Sequence, residues 1–268
     1  MKIVLWIGNQ ANQKALANKI HAKFPIAGIV KESPITKKKL SLGKVVQAGI
    51  DRTLLSPLVD AWRDMLANYK KRFPDYPDTE LLEVENINSN EAFDFTNKLQ
   101  ADLVIVSGTR LVRKQLLSVP AKIGILNLHT GLSPYVKGGP NCTNWCIATG
   151  DFHLIGNTIM WIDAGIDSGN ILTTEFTHLD GSENLSQVHI KVMEHAHDLY
   201  IRAIEFLSQG RTQTVPQSTI NPGKTYYNKE WTLRRKIQVV TNLRRMQAEI
   251  KSGKTAGKRK NITAVKLD

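Results

Sequence analysis

KIVLWIGNQANQKALANKIHAKFPIAGIV, residues 2 to 30, is the stretch that decides the fold. IVLWIG is an apolar run too short for a stable helix and rich in branched and aromatic side chains, which predicts a buried strand. QANQKALANKIHAKF follows with helical amphipathicity, and IAGIV reads as a second strand. Strands joined through a helix run parallel, and such crossovers are right-handed. The opening is therefore βαβ.

Outward from it, residues 32 to 80 break the rhythm with a KKK run and the helical stretch LLSPLVDAWRDMLANYKKRF, closed by the prolines of FPDYPD. This segment is expected to be a helical insertion. LLEVENI then reads as a strand, NSNEAFDFTNKLQ as a helix capped by Asn or Ser, and ADLVIVSG as a central strand. LVRKQLLSV predicts a short helix and KIGILNLHT another buried strand. After an irregular loop, NCTNWCIATGD reads as a helix ending at Gly150. IGNTIMWID and GNILTTEFTHL are expected to pair as antiparallel strands. The clearest helix is SENLSQVHIKVMEHAHDLYIRAIEFLSQG, with Ser182 as its expected cap and Gly210 as its end. A small helix, WTLRRKIQVVTNLRRM, follows in the last part of the chain. The predicted class is α/β: a Rossmann-like, mostly parallel sheet in residues 1–210 with the insertion at about 33–80, and a short C-terminal extension over 211–268. No internal repeat is visible.

Composition bounds the function. With 268 residues the chain can bury a real core, and 41% hydrophobic with 22% charged residues is ordinary for a soluble globular protein. Its apolar runs fall short of the ~18 to 20 residues of a membrane-spanning helix, and no secretory leader pattern precedes the first strand. Cys142 and Cys146 alone make no disulfide framework. A cytoplasmic enzyme is the expectation. The net charge of +12 is concentrated at one end, because residues 224–268 hold 13 Lys or Arg against 3 Asp or Glu. Such a tail can contact phosphorylated ligands, nucleic acid or an anionic surface, but KSGKTAGKRKNITAVKLD lacks any period, and a solvated, partly disordered tail is the plainer expectation.

Chemistry concentrates in NLHTGLSPYVKGGPNCTNW, residues 127 to 145, and WIDAGIDSGNIL, residues 161 to 172. Reactive groups in an open parallel sheet gather beyond the carboxyl ends of its strands. Asn127 and His129 sit at such an end, two apart and so on the same side of the strand. With Asp167 they could form a unit in which the His manages a proton, the Asp orients it and the Asn holds developing negative charge. A strand-end His satisfied by backbone is the alternative.

These two stretches together resemble the signature of the folate-dependent formyltransferases: Asn-x-His, a Leu-x-Pro turn, Lys or Arg with Gly, Pro before Trp, then a G-x-T-[IV] strand and Asp-x-Gly-x-[IV]. The resemblance covers residues 82 to 207 well and 3 to 20 loosely. It implies formyl transfer from N10-formyltetrahydrofolate to a primary amine, with Asn127, His129 and Asp167 as the catalytic residues and no metal. It also implies a folate site at Arg110, Leu111 and Val112 of SGTRLV, closed by Ala164 and Ile166. For the acceptor it points to Gly8, Asn9, Asn12 and Lys137. Two departures stand out. Gly131-Leu132-Ser133 replaces the usual Ser-Leu-Leu, and the first loop, GNQANQKA, lacks the second Gly of the phosphate-holding loop of glycinamide ribonucleotide formyltransferases. Residues 211–268 are too few for the tRNA-gripping barrel of methionyl-tRNA formyltransferases, and no regulatory domain precedes the first strand as in the deformylating branch. The expected acceptor is therefore a small molecule, the amine of a nucleotide-linked amino sugar. Glycinamide ribonucleotide and methionyl-tRNA remain alternatives, as does a non-enzymatic RNA-binding or scaffold role through the basic tail. Nucleic acid and membrane insertion are not expected, and a homodimer is the assembly entertained.

His189, His195 and His197 are expected on or near one helix, where the two at i and i+2 face different sides, which does not suit a metal. Cys142 and Cys146 read as core or pocket-wall thiols, and Trp62 and Trp145 as core. Tyr226, Tyr227 and Trp231, interleaved with Lys224 and Lys229, would suit either stacking on a nucleotide base or docking of the extension.

Overall fold

The computed structural model describes residues 1–35, 53, 55–165 and 167–268. Its strands are β1 (Ile3–Gly8), β2 (Ile26–Glu32), β3 (Glu80–Val84), β4 (Leu103–Ser107), β5 (Gly124–His129), the short β6 (Lys137–Gly138), β7 (Gly156–Trp161), β8 (Ile171–Phe176) and the short β9 (Thr225–Tyr226). Seven of them form one sheet in the order β3-β2-β1-β4-β5-β7-β8. The first five are parallel, while β5–β7 and β7–β8 are antiparallel. Every residue of β1 is buried, as expected of a central strand covered on both faces. The predicted βαβ opening and the mostly parallel α/β sheet are what the chain forms.

One face of the sheet is covered by α1 (Ala11–His21) and the long α6 (Leu185–Ser208), through Leu16, Ile20, Leu199 and Ile204 against Leu5, Ile105 and Leu126. The other face takes α3 (Asn90–Leu99) and the short α4 (Lys114–Leu117), over Val4, Trp6, Val30 and Val104. Trp6 carries an indole N–H into this core and donates it to Thr96 Oγ1 of α3 at 2.9 Å, which removes the cost of burying it unpaired. Helix α2 (Ser56–Arg72) lies across α1 and α6. It is the described part of the expected insertion, and residues 36–52 and 54 of that segment lie outside the described residues.

Four expectations are corrected. The long helix starts at Leu185, not after Ser182: Asn184 is its cap, in a capping box with Gln187. Ser182 instead donates its backbone N–H to Asp180. The small C-terminal helix is 19 residues long, α7 (Leu233–Lys251), and packs on α5 (Cys142–Thr149). The tail beyond it is ordered in place. It forms α8 (Lys254–Arg259), and Val265 then exchanges hydrogen bonds with Thr174 of the edge strand β8 at 2.7 and 2.8 Å. A sheet edge is a row of unpaired donors and acceptors, so the segment has something to bind that its own sequence does not advertise. Trp145 is core, whereas Trp62 is only partly buried.

Candidate active site

The strand order places its reversal between β1 and β4, the position where open α/β sheets bind ligands beyond the strand ends. Gly8 ends β1, Ser107 ends β4, and Asn127 and His129 close β5. The last turns of β4 and β5 are tied together from below. Tyr200 of α6 donates its hydroxyl to Leu126 O at 2.7 Å and accepts the Val106 N–H at 3.2 Å. Burial pushes that phenol well above its ordinary value, so it stays a donor.

His129 is buried, and both ring nitrogens face oxygen acceptors. Nδ1 lies 3.3 Å from Asp167 Oδ2, and Nε2 lies 3.1 Å from Val136 O. An imidazolium would have both N–H groups satisfied in this cradle. Cys142 Sγ is 3.4 Å from Nε2 and donates to Gly138 O, also at 3.4 Å. Burial holds its thiol well above the ordinary value, so it lines the wall as a neutral group. Cys146 is buried in the core behind it. The altered residue Gly131 has a reason here. A Cβ at that position would overlap His129 Nε2 and stand 2.8 Å from Cys142 Cβ.

Asp167 adopts a left-handed backbone, φ 48°, one of few conformations of this kind among non-glycine residues and one that Asp tolerates. Its Oδ2 also accepts the Gly138 N–H at 2.9 Å. The turn it sits on is pinned from within by Asp163, whose Oδ1 accepts from Gly165 N at 2.9 Å and Ser168 Oγ at 2.7 Å.

Two cavities meet at this cluster. The first, about 320 Å³, is walled by Val106, Val112, Met160 and Ile162, with Arg110, Leu111, Asp163, Gly165 and Asp167 at its rim. The second, about 290 Å³, is lined by Asn12, Gln13, Trp62, His129, Asn141, Cys142 and Met193. Thr109, Asn127, Gly138 and Asp167 belong to both. Asn127 thus stands on the partition, with Asp167 beside it.

The remaining sequence candidates divide. Arg110 and Val112 line the first cavity with the half-exposed Leu111. The Arg110 N–H is already taken by Glu32 Oε2 at 2.8 Å, and its Nε lies 3.5 Å from Glu32 Oε1. Ala164 is exposed on the turn but off the cavity wall, and Ile166 lies outside the described residues. Of the acceptor candidates, Asn12 lines the second cavity, whereas Gly8, Asn9 and Lys137 do not. Gly8 faces the Gly108 carbonyl, which a side chain there would overlap. Asn12 Oδ1 and Gln13 Oε1 are buried with no protein partner among the described residues. Groups of three or more His, Cys, Asp or Glu able to hold a metal are absent among the described residues.

The extension bears on the site more closely than its sequence suggests. Tyr226 stacks on Trp145 with centroids 4.3 Å apart, Trp231 meets the same ring edge-on at 4.8 Å, and β9 pairs with β6 beside Gly138. These aromatics therefore dock the extension, and only Tyr227 among the three is exposed. Gln217 and Cys142 touch the cluster of Asp167 and His129 and carry no motif of their own. Cys142 could have been suspected from its place in the loop after His129, but nothing marks Gln217.

Residues 1–204 match the family model described as Formyl transferase. The chain is 31% identical over 121 residues to the methionyl-tRNA formyltransferase of Clostridium tetani, a match covering 45% of this chain and 38% of that one. It therefore spans less than half the length of the curated relatives it matches. In fold it is similar to a sugar N-formyltransferase from a Shewanella species, with TM-score 0.59 and 16% identity over 90% of this chain and 88% of the other. It is also similar to an N-formyltransferase from Helicobacter canadensis, solved with folinic acid and dTDP-3-aminofucose, with TM-score 0.57 and 11% identity over 91% and 81%. No helix among the described residues is long and apolar enough to cross a membrane.

Proposed function

Because this chain belongs to the formyl transferase family, we propose that it moves a formyl group from N10-formyltetrahydrofolate to a primary amine carried by a nucleotide-linked amino sugar. The observation that carries this is the pair of cavities sharing Asn127, Gly138 and Asp167. A two-substrate transfer needs two binding spaces with one partition where the reacting atoms meet, and the polar residues of the motif stand on that partition. The first cavity suits the flat heterocycle of a folate. Its walls are apolar, and Thr109, Arg110, Asp163, Asp167 and Ser168 border them with polar groups. The second would take the amine.

The donor supplies an activated formyl carbon. The amine nitrogen bonds to that carbon as the bond to N10 breaks. One proton leaves the amine and one reaches N10, so the exchange balances without an oxidant or reductant. Asn127, at the partition, would donate to the formyl oxygen as negative charge develops there, an effect worth about 3 kcal/mol per well-placed donor. His129 lies beside it, its Nε2 facing the Val136 carbonyl, in a cradle where an imidazolium would have both N–H groups satisfied. Asp167 fixes the ring through Nδ1.

The amino-sugar acceptor is supported by the similarity in fold to a sugar N-formyltransferase, and to an N-formyltransferase solved with dTDP-3-aminofucose. A second reading, methionyl-tRNA, is favoured by the sequence relatives and by the basic extension. One experiment separates them: purified protein with N10-formyltetrahydrofolate, assayed against nucleotide-linked amino sugars, glycinamide ribonucleotide and methionyl-tRNA. Formylation of an amino sugar that falls by about 100-fold or more in His129→Ala is expected. Unchanged turnover in that variant would sink the mechanism, and activity on tRNA alone would replace the acceptor.

A further inference from the structure

We infer that Gln217 is a positioning residue for this reaction, holding the Asp167 turn against His129 from outside the matched region. The inference rests on the functional reading above. Gln217 lies in the extension, beyond the family match that ends at residue 204. It is 93% buried, at 7% exposure. Its single Nε2 donates to two carbonyls of the turn, Asp167 O at 2.8 Å and Gly169 O at 2.7 Å. Those carbonyls bracket the segment on which Asp167 takes its left-handed backbone. The same Asp167 reaches forward with Oδ2 to His129 Nδ1 and to the Gly138 N–H.

The other side of the carboxylate is held by the same stretch of chain. Lys137 N donates to Lys224 O at 2.9 Å and Gly139 N to Tyr226 O at 3.1 Å, which fixes the Gly138 amide between them. Residues 217–226 therefore grip Asp167 twice, through its backbone and through the amide that its side chain accepts. A carboxylate on a mobile turn is a poor orienter, because a displacement of about 1 Å at a catalytic contact can cost on the order of 100-fold in rate.

The chemistry requires glutamine. Two carbonyl oxygens bonded by one atom need two N–H groups on that atom, which a primary amide has. The Gln217 carbonyl Oε1 is buried without a protein partner among the described residues. A side chain that leaves its acceptor unpaired at a cost is kept here for its donors. Methionine has the same reach and no donor, and glutamate would set a third acceptor against two carbonyls.

The test uses the full chain with Gln217→Met and Gln217→Glu. Three quantities are measured: steady-state formyl transfer, thermal unfolding, and the NMR signals of the His129 ring, assigned by their loss in His129→Ala. The groups facing that ring are Asp167, Cys142 and the Val136 carbonyl. For Gln217→Met, kcat is expected to fall about 10- to 100-fold. The KM for the amine should change by less than about 3-fold. The His129 ring signals should shift away from their wild-type positions, and melting should shift by no more than about 4 °C. Gln217→Glu should be worse than Gln217→Met. Unaltered His129 ring signals, or a loss of activity that simply follows the loss of melting temperature, would overturn the proposal. If the wild type formylates no amine, the functional reading fails, and the His129 ring signals still decide the part played by Gln217.

Discussion

At the scale of single residues, the site is built by what Gly131 leaves out. Its neighbours are the His129 ring and Cys142 Cβ, both buried, so a methyl group there cannot be accommodated by a swing into solvent. Gly131→Ala is expected to push the imidazole off Asp167, lowering formyl transfer by about 10-fold or more and stability by about 1 to 3 kcal/mol. Steady-state assays alongside urea melts check both, and a fully active Gly131→Ala enzyme would show that the ring does not depend on this space. The family resemblance singled out Asn127, His129 and Asp167 in the sequence, and the fold brings His129 Nδ1 to 3.3 Å from Asp167 Oδ2. Neither Gly131 nor Gln217 could be read that way. Each acts through a residue distant in the chain, and only the packed structure says which.

Among the elements, α6 shows how one helix serves three neighbours. His195 points to the sheet, where Nε2 meets Glu175 at 3.1 Å and Nδ1 faces Thr177 and Asn157, each at 3.0 Å. His189 and His197 point to α2 instead, against Trp62 and Tyr69 with centroids 5.8 and 5.6 Å apart. Burial lowers His189 to about 4 and His197 to about 3, from 6.5. Both are bases kept neutral by the fold while the unfolded chain binds protons. Their contribution to stability is therefore complete above pH 6.5 and is lost as pH falls from 6.5 towards 4 and 3. Each is expected to cost on the order of 2 to 3 kcal/mol by pH 4.5. Glu175 and Glu194, drawn down to about 2 by Arg202 and by Lys19 with other partners, lose their contributions only below their ordinary 4.5. Thermal melts between pH 7.5 and 4.5 separate the two effects, and His189→Gln should flatten the first window. A melting temperature level across that window would refute the assignment. The cap of this helix gives a simpler expectation: Asn184→Ala removes half of the capping box and should cost about 1 kcal/mol, read by denaturant unfolding. Helix and strand periods were visible in sequence here, but the cap was misplaced by two residues, because Ser182, Glu183 and Asn184 offer competing starts and tertiary bonds choose among them.

For the molecule as a whole, the legible part was the sheet, whose apolar strands alternate with helices at regular intervals, and the illegible part was the C-terminal end. A basic stretch without period looks solvated when read alone. In the fold its charges have work to do at specific carbonyls. Arg259 donates from Nε to His153 O at 3.1 Å and from one terminal nitrogen to Ile155 O at 3.4 Å and Thr177 O at 3.2 Å. Its guanidinium also lies 4.7 Å from the Phe176 ring centroid. Three carbonyl groups at the junction of the β7 and β8 ends are thus satisfied by one side chain from α8, and Val265 then pairs with β8 itself. Arg259→Ala should take the donor from the His153 and Thr177 carbonyls, while Ile155 O keeps the Thr177 N–H at 3.1 Å, and cost about 2 to 3 kcal/mol. Arg259→Lys should recover only part of it, since an ammonium cannot spread its donors as a planar fork does. The same loss should loosen Val265 from the sheet edge, so hydrogen exchange at the Val265 amide is expected to quicken in Arg259→Ala while the amides of β1 stay protected. Denaturant unfolding measures the first effect and exchange the second. If Arg259→Ala unfolds like the wild type and Val265 keeps its protection, the tail is held by Val265 alone and the arginine is a bystander.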